Sequence, residues 1–490
     1  MILSFLLFWP LLTSVFLLLV KLKNAKEIAL FASIVELIAS IVIISQFTKS
    51  ADVQFIINIP WIRSLGINFS AGIDGISLLL VLLTTVLVPF IILSTFGSSE
   101  KRSSSFYGLI LMMQMALIGV FTARDGFLFY IFWEMALIPI YFICLIWGGE
   151  GSGKITLKFF IYTLAGSLFM LVALVYLYLQ TPDAHSFDID ALYSAGRSLP
   201  LQEQSILFWA IFLAFAIKMP VFPFHTWQPD TYTVSPVQGT MLLSAIMLKM
   251  GIYGVIRWLI PVVPMGVQQW GNVAIILSVI GIIYASCIAI IQKDFKRLIA
   301  YSSIAHVGLI SAGLLTLTRI GMQGAMIQML SHGIVVFASF YIIEIIFERT
   351  KTRDLSELGG IRNVAPKLAS VFLVVMMGSV ALPLTSGFVG EFLLINSLVQ
   401  YQMIIGAIAG LTIILGAVYM LRTFQKAMSG ETNKTTVGFF DLTSQEKIVL
   451  YPIVILIVAI GVYPTPLLEI SEAAVNNLLV IVSDFSASVK

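Results

Sequence analysis

Fourteen stretches of about 20 mostly apolar residues, each long enough as a helix to cross a hydrocarbon layer about 30 Å thick, recur along this chain of 490 residues. They fall at 2–20, 28–46, 76–96, 106–122, 127–147, 156–179, 205–222, 236–260, 270–291, 297–318, 323–347, 367–397, 402–424 and 447–466. Crossing consumes almost the whole chain and leaves no soluble domain. The first stretch is not expected to be cleaved, because its basic cluster (Lys21, Lys23, Lys26) follows the apolar run. Composition agrees: 59% of residues are apolar and 11% are Asp, Glu, Lys or Arg, against about 25% charged in soluble domains. That excludes a soluble enzyme and a nucleic-acid binder, and 28 basic against 25 acidic residues is too even for a polyanionic partner. The fold expected is an all-α polytopic membrane protein of about 14 helices.

Short basic loops set the orientation. With the N-terminus outside, the inner loops collect Lys21, Lys23, Lys26, Lys101, Arg102, Lys154, Lys158, Lys293, Lys296, Arg297, Arg349, Lys351, Arg353, Arg362, Lys367, Lys426, Lys434 and Lys447. The outer side receives Lys49, Arg63, Arg124, Arg197, Arg257, Arg319 and Lys490. This bias predicts both termini outside. Strand-like pieces around Pro60 predict a small hairpin in 48–70, and the acidic loop 180–204 reads as solvated.

Two spans do not read as plain helices. Residues 205–236 meet Pro220, Pro223, Pro229 and Pro236, with Lys218 just before the break; residues 367–397 meet ALPLTSG at 381–387 and resume with Glu391. Proline removes a backbone donor and clashes with the preceding turn. Irregular backbone at membrane depth survives only where protein or a wet cavity covers it. Interrupted spans in corresponding places of two halves predict an internal repeat with a transport site.

Charge at the bilayer centre costs at least about 2.5–3.5 kcal/mol per residue, so each instance calls for a reason. The set is Glu36, Glu134, Lys218, Lys249, His306, His332, Glu344 and Glu391. At about 1.5 Å rise per residue, Lys249, His306 and His332 fall some 14–20 Å into the core, with Lys218 similarly deep and Glu391 only about 9 Å from the outer end of its span. Alternating acid, base and imidazole at one depth reads as a proton wire, in which a Glu134–Lys218 pair switches proton affinity. Glu344 reads as interfacial, His225 as satisfying backbone groups freed at the first break, and Asp74 as a helix N-cap; Glu36 is unassigned. Cys144 and Cys287 are too few for a zinc or iron–sulfur site and read as buried small hydrophobes.

The segments GIDGISLLLVLLT (72–84), FYIFWEMALIPIYFICLIWG (129–148), AIKMPVFPFHTWQPD (216–230), LLSAIMLKMGIYGVIR (242–257), FKRLIAYSSIAHVGLI (295–310), QMLSHG (328–333), RTKTRDLSELGGI (349–361) and LPLTSGFVGEFLL (382–394) resemble the proton-conducting, antiporter-like subunits of respiratory complex I (NADH–quinone oxidoreductase), relatives of multi-subunit sodium/proton antiporters. The M-type branch is the nearest likeness, on the RTKTRDLSELGG loop and on Glu391, where the L and N branches usually carry Lys. The resemblance implies helices 4–8 and 9–13 as two inverted five-helix repeats, each with a broken helix. Residues 1–104 would then hold helices 1–3 and the hairpin, 105–260 and 270–426 the repeats, and 427–490 helix 14 and a tail. It also implies Glu134 and Lys218 as the paired carboxylate and lysine, Lys249 as the central lysine, His306 and His332 as connectors, and Glu391 as the terminal group. No cofactor is implied in this chain; FMN, iron–sulfur clusters and quinone would sit in partner subunits, alongside L- and N-type and small membrane subunits. TYTVSP at 231–236 departs from the family's usual AHTEAP, and Glu344 stands where a small residue is expected. The function implied is proton translocation coupled to NADH oxidation in a bacterial plasma membrane; the alternatives are a sodium/proton antiporter subunit, a hydrogenase-linked relative, or a non-conducting scaffold.

Overall fold

The computed structural model describes residues 1–96, 102–182 and 185–488, with side chains through Ser483; Lys101 and Lys490, counted above for orientation, lie outside the described residues. Helices long and apolar enough to cross a membrane run at Ile2–Leu19, Ala25–Gln46, Gly75–Leu93, Ser104–Thr122, Gly126–Trp147, Ser152–Gln180, Leu201–Lys218, Val237–Leu259, Pro264–Ile291, Phe295–Leu314, Arg319–Thr350, Met403–Met428 and Ser444–Val462. The stretch 367–397 is two shorter helices, Pro366–Ser379 and Ser386–Tyr401, which together complete the fourteen crossings.

A further helix, Thr465–Ser488, passes the same length and hydropathy test over Thr465–Ser483, but its partners place it elsewhere. Glu469 pairs with Lys49, Glu472 with Arg319, and the Ile470 carbonyl abuts Gly75. All three partners sit where helices emerge on the face that carries residues 48–70. The helix buries Ile470, Ser471, Ala474, Val475 and Leu478 and turns Asn477 outward, an amphipathic pattern that lies along this face instead of crossing lipid. We call it the hairpin face, and the opposite one the basic face.

The predicted hairpin is present: Gln54–Ile62 pairs antiparallel with Ile67–Ile73. It is tied down where Arg124 N–H donates to the Ser70 carbonyl at 2.8 Å and Asn68 N–H to the Asp125 carboxylate at 3.0 Å. Asp74 caps Gly75–Leu93 in a reciprocal box with Ser77 and also holds Arg257. The loop 180–204 is more than the solvated connection expected of it. It contains a helix, Ile189–Ser198, that buries Ile189, Leu192, Tyr193 and Ala195, because their three- and four-residue spacing gives one apolar stripe.

Within the membrane the packing is layered. Val237–Leu259 is buried at every residue except the partly covered Arg257, and Phe295–Leu314 and Arg319–Thr350 are buried along most of their lengths. Ile2–Leu19, Ala25–Gln46, Ser152–Gln180, Pro264–Ile291 and Met403–Met428 surround them and show large aliphatic side chains outward. Lipid is as apolar as these side chains, so close packing and internal polar contacts hold the helices together. In each five-helix run, 104–259 and 264–428, the broken helix is fourth. Cys144 is buried, with its sulfur 3.0 Å from Ser235 Oγ, whereas Cys287 is exposed on the outer side of Pro264–Ile291; only the first fits the buried-hydrophobe reading.

Candidate functional site

The first break follows from its prolines. The helix that starts at Leu201 ends at Lys218 because Pro220 and Pro223 cannot continue it. Freed carbonyls are taken up locally: Trp227 Nε1 donates to Ile217 O at 2.9 Å and Val221 N–H to Ala216 O at 2.8 Å. His225, expected in that role, instead stacks on Phe222 and meets Tyr284 edge-on. A short helix, Gln228–Val234, completes the crossing, anchored where Asp230 meets Lys158 at 3.3 Å and Arg297 at 3.1 Å. Gly166, midway along Ser152–Gln180, abuts Ala214 and Ile217, which puts the break about 21 Å from either end of that helix.

Lys218 is 3% exposed, its ammonium 5.5 Å from the Trp133 ring centroid, within cation–π range. Glu134 sits beside a second interruption that the span 127–147 did not announce. Gly126–Met135 and Leu137–Trp147 are separate helices; Pro139 cannot donate to the Met135 carbonyl four residues back and crowds it. The Glu134 carboxylate has Ser167 and the Lys218 charge as its polar neighbours. Among the described residues no ion pair within 4.0 Å joins Glu134 to Lys218, so the pair is near but not closed.

The second group is contiguous. Lys249, wholly buried, donates to Ser244 O at 2.7 Å and lies 2.8 Å from His332 Nδ1. Its helix carries two wide-turn π segments, Leu242–Met247 and Val255–Leu259, a distortion that often marks functional positions. The rings of His332 and His306 have centroids 5.8 Å apart, too far for a direct N–H bond of about 2.7–3.2 Å and the right span for one bridging water. Nε2 of each ring is buried without a protein partner. His306 Nδ1 then lies 2.8 Å from Glu391 Oε1, close but out of hydrogen-bond alignment, and Gln328 Nε2 donates to the same oxygen at 3.3 Å.

Glu391 is deeper than expected. The resumed helix runs on to Tyr401, which sets Glu391 about 15 Å from that end and in the same layer as the histidines. The break before it strains the backbone: Ala381 (φ 55°) and Leu384 (φ 73°) are non-glycine residues in the left-handed region, a cost of about 1–2 kcal/mol each. Gly461 lets the last crossing helix approach the Leu384 carbonyl, which a Cβ would meet at 2.4 Å.

The structure therefore brings together Lys249, His332, His306 and Glu391, and separately Glu134 and Lys218. Gln328 was missed, although it precedes His332 by one turn and so shares its face. Ser167 and the Ser244 carbonyl carried no sequence signal. Glu344 lines a cavity of about 350 Å³ on the basic face, with Lys296 and Arg353, in keeping with an interfacial position. Glu36 is fully buried on Ala25–Gln46, neither oxygen taking a protein partner.

Fold and site together define a polytopic helical membrane protein of the broken-helix transporter class, with ionisable groups held at mid-depth. Residues 123–416 match the family described as NADH:quinone oxidoreductase/Mrp antiporter, transmembrane. NADH-quinone oxidoreductase subunit M of Rickettsia conorii is 40% identical over 489 residues, covering 98% of this chain and 99% of that one. A solved structure of respiratory complex I from Thermus thermophilus with bound NADH contains a chain 29% identical, with a TM-score of 0.89, covering 98% of this chain and 100% of that one. A chain in the Mrp complex from Dietzia is 20% identical with a TM-score of 0.88, over 100% and 99%, a likeness of fold. The chain belongs to the NADH:quinone oxidoreductase/Mrp antiporter family, with the subunits M of complex I among its relatives.

Proposed function

We propose that this chain conducts protons through the membrane arm of an NADH–quinone oxidoreductase, carrying no redox chemistry itself. FMN, iron–sulfur clusters and quinone would belong to partner subunits, and L- and N-type and small membrane subunits would be its neighbours. The single observation that carries the reading is the run Lys249–His332–His306–Glu391, two steps of 2.8 Å and one of 5.8 Å between ring centroids, wholly inside the helix bundle. Each group exchanges a proton, either imidazole nitrogen can hold one, and no packing benefit offsets a buried ammonium and carboxylate. Glu134 and Lys218 act upstream. With the carboxylate near, Lys218 retains its proton; with it withdrawn, the proton moves toward Lys249. One pKa unit is about 1.4 kcal/mol and a charge crossing 100 mV about 2.3 kcal/mol, so a change of two to three units per cycle is of the size required. The two broken-helix runs act as inverted repeats, and the positive-inside bias puts the basic face toward the bacterial cytoplasm, with both termini outside.

The test is NADH-driven proton uptake by inverted membrane vesicles carrying Lys218→Ala or Glu134→Ala. Pumping per electron falls while the complex still assembles; wild-type stoichiometry in both variants would refute the wire. Sodium-dependent exchange without NADH would favour an antiporter instead.

A further inference from the structure

We propose that Glu344 and Lys296 form a proton-collecting mouth on the basic face, from which a ladder of hydroxyls leads to Lys249. The proposal rests on the proton-conducting reading and adds a basic-face entry to Lys249, a second supply beside the transfer from Lys218, and what keeps other cations out of it. The cavity of about 350 Å³ that opens on this face is lined by Glu344, Lys296, Arg353, Arg102, Thr233 and Ser235, among others. Glu344 sits six residues before the end of Arg319–Thr350, about 9 Å below it, and its charge interacts with that of Lys296. Lys296 is 2% exposed and donates to the Ser235 carbonyl at 2.6 Å. Ser235 Oγ donates in turn to Thr231 O at 2.6 Å.

From Pro236 the chain turns back into the membrane as Val237–Leu259, and polar groups follow at four- and five-residue spacing, Thr240, Ser244 and Lys249. Thr240 Oγ1 donates to Tyr232 O at 3.1 Å, Ser244 Oγ to Thr240 O at 2.7 Å, and the Ser244 carbonyl accepts from Lys249 Nζ at 2.7 Å. Thr240 and Ser244 are fully buried. Each of these hydroxyls donates to a backbone carbonyl and not to the next hydroxyl; the two lie about 6 Å apart along the axis, the span of one bridging water. The proposed path from the cavity to Lys249 spans about 18 Å.

The charges at the mouth explain selectivity. Lys296, Arg353 and Arg102 line the same space as Glu344 and Glu150, three cations against two carboxylates, so a sodium or potassium ion meets a net positive lining in a confined volume. A proton does not have to pass as an ion: it binds the Glu344 carboxylate, neutralises it, and leaves by way of the hydroxyls and the waters the path requires between them. A carboxylate that only anchored the helix end would need no ladder behind it.

The experiment uses the assembled complex in inside-out vesicles, basic face outward, and follows NADH-driven proton uptake against electron transfer. Glu344→Gln lowers uptake per electron fivefold or more, Glu344→Asp restores at least half, and Lys249→Ala lowers it in parallel as the reference. In a background with Cys144→Ser and Cys287→Ser, the Glu344→Cys variant is alkylated by a membrane-impermeant maleimide added to the basic face and not from the other side. Wild-type uptake in Glu344→Gln with loss in Lys249→Ala would overturn the mouth and leave the wire standing, whereas wild-type uptake in Lys249→Ala would remove the wire itself. If Glu344→Gln fails to assemble, absence of basic-face labelling in Glu344→Cys overturns the proposal on its own.

Discussion

His332 separates two accounts of the buried row. It is either a relay that carries a proton from Lys249 toward His306, or only an acceptor that keeps a buried ammonium comfortable. Lys249 Nζ has two described partners, Ser244 O at 2.7 Å and His332 Nδ1 at 2.8 Å. A hydrogen bond to a charged group is worth about 1.5–3 kcal/mol. His332→Ala removes that contribution, and at 1.4 kcal/mol per factor of ten the charged form of Lys249 becomes roughly ten- to a hundredfold rarer. His332→Gln returns an acceptor of similar reach but cannot take up and pass on a proton. The assay is initial NADH-driven proton uptake in inside-out vesicles, normalised to electron transfer and to the amount of assembled complex. Both variants are expected to lose at least tenfold in the proton flux through this chain, which corresponds to a barrier raised by about 1.4 kcal/mol. Wild-type flux in His332→Gln would show that an acceptor suffices, and the relay argument would fall with it.

Other perturbations address different parts of the structure. Glu391→Gln leaves His306 Nδ1 without its anionic partner at 2.8 Å and should abolish pumping while the complex assembles; unchanged uptake per electron would contradict its place at the end of the row. Gly390→Ala brings a Cβ to 2.6 Å from Gln328 Cβ and 2.8 Å from its Cα, forcing Ser386–Tyr401 off its neighbour at a cost of about 1–3 kcal/mol, read as a lowered melting temperature with reduced pumping. Arg349→Ala breaks a pair with Glu446 at 2.6 Å whose side chains are 4% and 10% exposed, and should cost about 3–5 kcal/mol, visible as a lower yield of assembled complex. At Asp74, burial opposes ionisation, but Arg257 and Ser77 more than offset it and hold the carboxyl below its ordinary value. Its contribution is therefore present above the unfolded-state pKa of about 3.9 and is lost as pH falls through the lower folded value. Asp74→Asn, which keeps the cap, should be less heat-stable than wild type at pH 7, with the difference closing only in strongly acidic buffer.

What could be read from residues alone follows from how local each cause is. Crossing helices are written in runs of 20 apolar residues, and breaks in prolines, so the fourteen spans and the interruptions after Lys218 and before Glu391 were legible. The break beside Glu134 was written too, in Pro139, but one proline among apolar neighbours looks like an ordinary kink. The C-terminal helix at 465–488 is set by contacts with Lys49, Gly75 and Arg319, each more than a hundred residues away, which no local pattern encodes. Depth was readable to within one helix end: Glu391 shifted because its helix runs four residues past the assumed boundary. The partners of the candidate residues were the least legible. Gln328 could have been found by its spacing from His332, but the Ser244 carbonyl is a backbone group exposed by a wide turn, and Trp227 replaces His225 at the first break for reasons of reach.

The ends of the buried row carry opposite charge when Lys249 holds a proton and Glu391 does not. Three contacts separate them, so the charges are on the order of 10 Å apart and attract by about 1.7 kcal/mol at an effective dielectric constant of 20. Keeping both charged inside the membrane costs at least about 5–7 kcal/mol on the insertion scale. Passing the proton along to Glu391 would neutralise both ends and recover that cost, but against it stand the attraction and the intrinsic preference of an amine over a carboxylate for the proton, about six pKa units or about 8 kcal/mol. On the proposed reading the proton therefore stays at Lys249 until work is supplied to drive it toward Glu391, and Lys249 is then refilled. Of the two supplies proposed for Lys249, the one from Lys218 and Glu134 lies where two helix breaks meet and the ion pair stands open, so that is where movement driven from a neighbouring subunit would act.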